Sequence, residues 1–283
     1  MGFRSIKITR MSSCFAPLVV TASSQKQRFP LAKLFQFIGS VSLFGLRVIT
    51  DFFRPPFELG QIGRQIAEVG AKSVPLVIAS GFAIGAVMTL HTRDTLVTFG
   101  ATAEIPTVQS LAFFVEIGPL VVGLLLAGRV GSGIGAVLAN MRATEQIDGI
   151  ESLSIDSFKF LVVPRVVACV LAMPILTLFM DFSGLLAGFV AEHAASGISL
   201  HLYNTRAFAS LDWSNYIPPT LKTAVFGFII GTVSAFYGYT TNEGAAGVGK
   251  AATNAVVVSS LLIIVSDVLL VKCISFAFPG TAL

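Results

Sequence analysis

Apolar stretches of membrane-crossing length alternate with short polar intervals along this chain. Val74–Leu90, Leu111–Ala127, Leu161–Met180, Leu221–Tyr239 and Asn254–Phe276 are the clear ones. Each reaches or approaches the ~20 residues that cross a hydrocarbon layer about 30 Å thick. The first carries Ser80, Gly81 and Gly85, a small-residue face suited to close helix packing. After Met180 the apolar character runs past Asp181 to Val190. That extension is too short for another crossing, so one long or broken helix is expected. The pattern predicts an all-α polytopic membrane protein.

Residues 34–53 are less decided. Leu34, Phe37, Ile38, Val41, Phe44, Val48 and Phe52 recur at three- and four-residue steps and form one helical face. Pro55-Pro56 then ends the helix. Arg47 and Asp51 fall inside the segment rather than at its ends, which favours an amphipathic helix lying in the interface over a crossing. With five crossings and a cytoplasmic N-terminus, 129–160 and 242–250 lie inside, 93–108 and 192–219 outside. The inner intervals hold Arg129, Arg142, Lys159 and Lys250, the outer ones Arg93 and Arg206, in the direction of the positive-inside rule. If 34–53 also crosses, the assignment inverts unless the N-terminus is outside.

Composition agrees with this picture. Hydrophobic residues make up 54% of the chain and charged ones 12%, against roughly 25% charged in soluble domains. The first 33 residues carry Arg4, Lys7, Arg10, Lys26, Arg28 and Lys33 and no acid. Such a tail suits an anionic cytoplasmic leaflet, or a targeting segment, with Met11 an alternative start. Cys14, Cys169 and Cys273 are far apart and form no CxxC, so neither disulfides nor a metal cluster is expected.

Two glycine motifs imitate nucleotide sites. Gly244-Ala-Ala-Gly-Val-Gly249-Lys250 nearly spells a phosphate-binding loop, but Ala251 stands where a hydroxyl should hold Mg²⁺. A tight glycine-rich turn is the expectation there. Gly131-Ser-Gly133-Ile-Gly-Ala136 fits a loose dinucleotide fingerprint, yet no βαβ unit surrounds it. His91, His193 and His201 share no metal-ligand spacing, and no catalytic motif is present. The informative charges are Glu116, Asp181 and Asp267, each inside or at the edge of an apolar segment. A charge at mid-membrane costs at least ~2.5–3.5 kcal/mol, and such residues commonly face a bundle interior or wet cavity. No intramembrane Lys or Arg is an obvious partner, although Arg165 lies near one span's end.

The longest polar interval carries the strongest pattern. After AGRVGSGIGAVLAN (Ala127–Asn140) comes Met141-Arg-Ala-Thr-Glu-Gln-Ile-Asp148. Thr144 can cap a helix that begins at Glu145, whose acids suit a helix N-terminus. A short exposed helix between two spans can dock a soluble partner. Ala127–Asp156, followed by FLVVPRVVA (Phe160–Ala168), resembles the MlaE/YrbE permease family, the membrane subunits of MCE-associated ABC lipid transporters. Glu116-Ile-Gly-Pro119, Lys222-Thr-Ala-Val-Phe-Gly227, Tyr237-Gly-Tyr-Thr-Thr241, the Gly247-Val-Gly-Lys turn and Asp267 extend the likeness from about residue 34 to 278. Val115 departs from the pattern, which often carries Arg there, and leaves Glu116 without an adjacent partner.

The resemblance implies a basic tail (1–33), an interfacial helix (34–58) and a permease domain (74–278) with five transmembrane helices and a cytoplasmic coupling helix. It implies a homodimer that docks a cytoplasmic ABC ATPase through Arg142, Thr144, Glu145, Gln146, Ile147 and Asp148. ATP and Mg would be bound by that partner, and this chain would hold no cofactor and no catalytic residue. An MCE-domain protein would sit on the opposite face, with a small STAS-type regulator as a further partner and no nucleic acid. The cargo would be phospholipid in a cavity at the dimer interface, with Glu116, Asp181 and Asp267 as cavity or gating groups. The expected location is a bacterial inner membrane, with a plastid inner envelope as the alternative. The rival from another class is a stand-alone ion- or proton-coupled carrier that uses Glu116 and Asp181 as a relay.

Overall fold

The computed structural model describes residues 30–55, 59–209, 211–242 and 244–277. The basic tail before Pro30 with Cys14, the proline Pro56, and the ends of the 34–58 and 74–278 segments lie outside them. The chain divides into two compact units, Met1–Gly39 and Ser40–Leu283. The described part of the first is the opening of helix α1 (Pro30–Phe52), with Phe35 and Ile38 exposed.

Among the described residues every regular element is helical. α2 (Leu59–Ile66) runs through a π-helical turn (Ala67–Ala71) into α3 (Val74–Thr98). α4 (Ile105–Ala112), α5 (Gly118–Leu126) and α6 (Ser132–Ala143) form a second run, joined by π turns at Phe113–Ile117 and Ala127–Gly131. α7 (Gln146–Ser152) is short, and α8 (Ser157–Ser196) is a single unbroken helix. α9 (Leu200–Ala209), α10 (Trp213–Tyr239) and α11 (Gly244–Ala277) complete the order. Six of these runs are long and apolar enough to cross a membrane, α1 among them with the lowest mean hydropathy, 1.2.

Local chemistry sets the ends. The Asp156 side chain accepts hydrogen bonds from the backbone N–H groups of Phe158 and Lys159, at 3.1 and 3.2 Å, and so caps α8. Gly197, at φ +69°, takes the left-handed turn that stops it. Pro119 has no N–H to offer the carbonyl four residues back, and the π turn at Phe113–Ile117 directly precedes it.

α8 and α10 form the centre of the bundle, and α1 and α11 its periphery. Hydrocarbon gives apolar helices no hydrophobic reason to associate, so close backbone approach has to supply the attraction. Gly81 and Gly85 of α3 face Met180, Ser183 and Gly184 of α8, and a Cβ on Gly85 would stand 2.2 Å from the Gly184 carbonyl oxygen. The small-residue face expected from Gly81 and Gly85 is therefore the α3–α8 seam. Gly227 of α10 meets the Cys169 carbonyl of α8 in the same way.

Two sequence expectations need correction, and one gains a physical account. The segment 129–143 is not a polar loop but the continuation of the second span as α6, because its small residues Gly131 and Gly135 pack on α10 and α11. The glycine-rich stretch from Gly244 is the start of α11 rather than a turn, its Gly247 buried. On α1, Arg47 and Asp51 are not stranded charges: they pair at 3.4 Å, Arg47 also approaches Asp156 at 3.8 Å, and its guanidinium lies 4.1 Å from the centre of the Phe158 ring.

Replacing Gly85 by Ala is expected to lower stability by about 1–3 kcal/mol, as overpacking does in a tight core. Gly133→Ala, whose added methyl meets nothing within 4 Å, is the control. Thermal unfolding of the two purified variants in detergent checks the difference.

Candidate functional site

In the first half of α10, the Lys222 side chain is 1% exposed. Its ammonium lies 2.8 Å from Glu116 Oε2 and 3.0 Å from Asp267 Oδ1. Glu116 comes from the π turn at Phe113–Ile117, Asp267 from α11. Three elements thus converge on one charge. Asp267 is as buried as Lys222, whereas the Glu116 side chain is 41% exposed and opens the cluster outward. With all three ionised the cluster carries one net negative charge; a proton on either carboxyl makes it neutral.

This corrects the expectation that no intramembrane cation serves these acids. Lys222 is 106 positions from Glu116, beyond the reach of any spacing rule. It stands second in the apolar run Leu221–Tyr239, and nothing in that run marks it as their partner.

Asp181 stands apart. Its side chain is fully buried in α8, and neither carboxyl oxygen has a hydrogen-bond partner. The carboxyl is pressed against Gly118: a Cβ there would lie 1.8 Å from Asp181 Oδ1. Glycine at 118 therefore makes room for the acid. Glu116 turns to Lys222 while Asp181 faces Gly118, so the two do not form the direct relay that a carrier would use.

The predicted docking segment sits at the other end of the bundle. Thr144 ends α6 rather than capping the next helix; its Oγ1 donates to the Asn140 carbonyl at 2.9 Å. Glu145 precedes α7 in the left-handed conformation, φ +58°, and turns the chain. Arg142 and Asp148 pair across this turn at 2.7 Å. Glu145, Gln146 and Asp148 are exposed, whereas Ile147 is fully buried and anchors α7 to the core.

Sequence reasoning missed what holds α7 from behind. Ser157 Oγ donates to Glu151 Oε1 at 2.5 Å and lies 2.8 Å from Tyr239 Oη, which itself donates to Glu151 at 3.3 Å. The surface helix is thereby tied both to the start of α8 and to the end of α10. The Tyr237–Thr241 and Phe160–Ala168 motifs flag the neighbourhood but give no sign of the contact.

A groove of about 780 Å³ runs between α3, α4 and the Phe113–Ile117 turn. Ile84, Val87, Met88, Val108 and Ile117 make its wall, and His91, Thr92 and Thr95 give it a polar end. Ile117 belongs to the same π turn as Glu116, but Glu116, Lys222 and Asp267 are not among the residues that line the groove.

Lys222→Met is expected to cost about 3–5 kcal/mol, since it leaves Asp267 buried and unpaired. Lys222→Met combined with Asp267→Leu is expected to recover most of the loss, because the orphaned carboxylate is gone. Unfolding midpoints of the single and double variants in detergent decide this; a double variant as unstable as the single one contradicts the pairing.

The family model described as Permease MlaE matches residues 62–273. The chain is 40% identical to a probable ABC transporter permease protein of Rickettsia felis over 240 residues, 85% of this chain and 93% of the relative. A probable ABC transporter permease protein of Synechocystis is 35% identical over 240 residues, covering 81% of this chain and 90% of the relative. The chloroplastic protein TRIGALACTOSYLDIACYLGLYCEROL 1 of Arabidopsis thaliana is 33% identical over 241 residues, covering 85% and 68%. The match takes in the Lys222 cluster, the α6–α8 connection and the groove between α3 and α4, and the chain belongs to the MlaE permease family.

Proposed function

We propose that this chain is the membrane subunit of an ABC transporter that moves phospholipids, driven by a separate cytoplasmic ATPase. The observation that carries the cargo is the groove between α3 and α4. Its wall is apolar, and His91, Thr92 and Thr95 make one end polar. That is the complement of an amphiphile with an acyl chain and a polar headgroup. The Arabidopsis relative, whose name is that of a glycerolipid, points the same way.

The drive enters through α7. ATP-dependent closure of the partner would push on Glu145, Gln146 and Asp148, and the Glu151–Ser157–Tyr239 contacts would pass the displacement to α8 and α10. α10 is one continuous helix from there to Lys222, so movement at its inner end reorients the charge cluster in its first half. The lipid is then held differently in two states, which is a population shift.

Two subunits complete the cavity in this reading. The outward face of α11 supports it, with Leu261, Val265, Val268 and Leu269 exposed. α1 lies in the interface, the N-terminus and α7 are cytoplasmic, and an MCE-domain protein and a small STAS-type regulator are the further partners. The membrane is a bacterial inner membrane, or a plastid inner envelope in the alternative.

Glu145→Arg reverses charge on the face presented to the ATPase and is expected to weaken docking by about tenfold. Co-purification of the ATPase and lipid-stimulated ATP hydrolysis should both fall. Intact co-purification with full activity in that variant refutes the assignment.

A further inference from the structure

A second cavity opens at the α7 end of the bundle, where α2 with its π turn, the Ala127–Gly131 turn with α6, and α8 meet. Its volume is about 290 Å³, and Val69, Val130, Ile134 and Val137 give it an apolar wall. Four charged side chains line it: Glu68, Lys72, Arg129 and Arg165. Lys72 and Glu68 satisfy one another at 2.8 Å. Among the described residues neither arginine lies within ion-pair distance of a carboxylate. Arg129 instead donates to Ser73 Oγ, and Arg165 to the Leu161 carbonyl at 2.5 Å. Two guanidinium charges are therefore left over in a partly enclosed, half-apolar cleft. Each retains donors beyond the one such bond it makes.

The depth of the cleft is marked on the chain. Lys72, Arg129 and Arg165 each border a run free of charged side chains: 73–92, 117–128 and 166–180. Lys72 and the next charged residue, Arg93, are twenty-one residues apart, about 30 Å of helix and the thickness of a hydrocarbon core. The three cations come from three different elements and stand at one edge of that slab, where lipid phosphates lie. Arg129 is thirteen residues from Glu116, roughly 20 Å along the helix. The cleft is thus separate from the Glu116 cluster, and it shares no lining residue with the groove between α3 and α4.

We propose that this cleft binds the phosphate-bearing headgroup of an anionic membrane lipid, with Arg129 and Arg165 on the phosphate and an acyl chain along Val130, Ile134 and Val137. Guanidinium groups suit this because their planar donors pair with phosphate oxygens two at a time. The lipid would bridge α6 to α8 on the path between the docking helix and the bundle. It is a fixed ligand of the subunit, distinct from the cargo, and the proposal holds whichever lipid is transported.

The test uses the full-length chain in nanodiscs of phosphatidylcholine with a minor fraction of phosphatidylglycerol, followed by detergent exchange and mass spectrometry of retained lipid. The native chain is expected to retain phosphatidylglycerol in preference to phosphatidylcholine, and added inorganic phosphate should not displace it. Arg165→Gln is expected to bind it about tenfold more weakly, having lost a charge-assisted contact. Gly133→Leu should do the same by filling the cleft; position 133 has open space around its Cβ, so this variant keeps the test if Arg165→Gln fails to fold. Equal retention in the native chain and both variants overturns the proposal. So does displacement by inorganic phosphate, which would make the ligand a free anion. Retention lost in Lys222→Met but kept in the two cleft variants would place the lipid at the Lys222 cluster and overturn this site while sparing the transport reading.

Discussion

One ammonium shared by two carboxylates organises the outer half of this protein. Lys222 is too buried to keep its own hydration, and an unpaired charge at that depth is expensive. It is tolerable only if α11 brings Asp267 to it and the π turn brings Glu116. A regular α-helix through 113–117 would rotate Glu116 relative to the rest of that run. The irregular turn is thus coupled to the charge, and Pro119 just beyond it removes a hydrogen bond that would resist the turn. The same constraint restrains α11, one of the two least enclosed long helices, on which Leu261, Val265, Val268 and Leu269 are exposed.

The seams between the helices are organised differently. Where the outer end relies on buried charge, the seams between α3, α8 and α10 rely on missing side chains. Gly85 against Gly184 and Gly227 against Cys169 bring backbones together at distances no larger residue allows. Dispersion between such close backbones grows with every contact and leaves little freedom to slide. Among the described residues, regular α-helical bonding is interrupted at three π turns. One of them carries Glu116 and another carries Arg129.

How much of this could be read from the sequence depended on range. The crossings were legible because hydrophobicity is a sum over about twenty neighbouring residues, and Val74, Leu161 and Asn254 fall within helices of the expected kind. Asp181 and Asp267 stood out because a lone acid in an apolar run is visible locally. Lys222 was in plain view too, but its meaning depended on residues in two other helices, and nothing in its own segment revealed that. Thr144 misled for a related reason: a threonine before acidic residues satisfies the rule for a helix start, yet α6 already reached it and used it as an end. The glycines at 244–249 misled in the opposite sense: only Gly247 among them is buried, and the helix they begin is held just beyond them, where Ala251 and Ala255 pack on Gly135 of α6.

Transport requires the α7 end and the Lys222 cluster to communicate, and α10 is the element that touches both. At Tyr239 it is hydrogen-bonded to the pair that holds α7, and at Lys222 it supplies the charge that binds α11 to the Glu116 turn. Between them it carries Gly227 and Gly231, which fix it to α8 by backbone contact. A helix gripped in this way does not bend freely along its middle, so a displacement at Tyr239 is passed on as rotation or translation of the whole element. Because Asp267 is buried and Glu116 is half open, such a movement strains the two contacts unequally, and the Glu116 contact is the one that water or a headgroup can replace. The cluster can therefore exchange one protein carboxylate for another anionic group without leaving Lys222 alone.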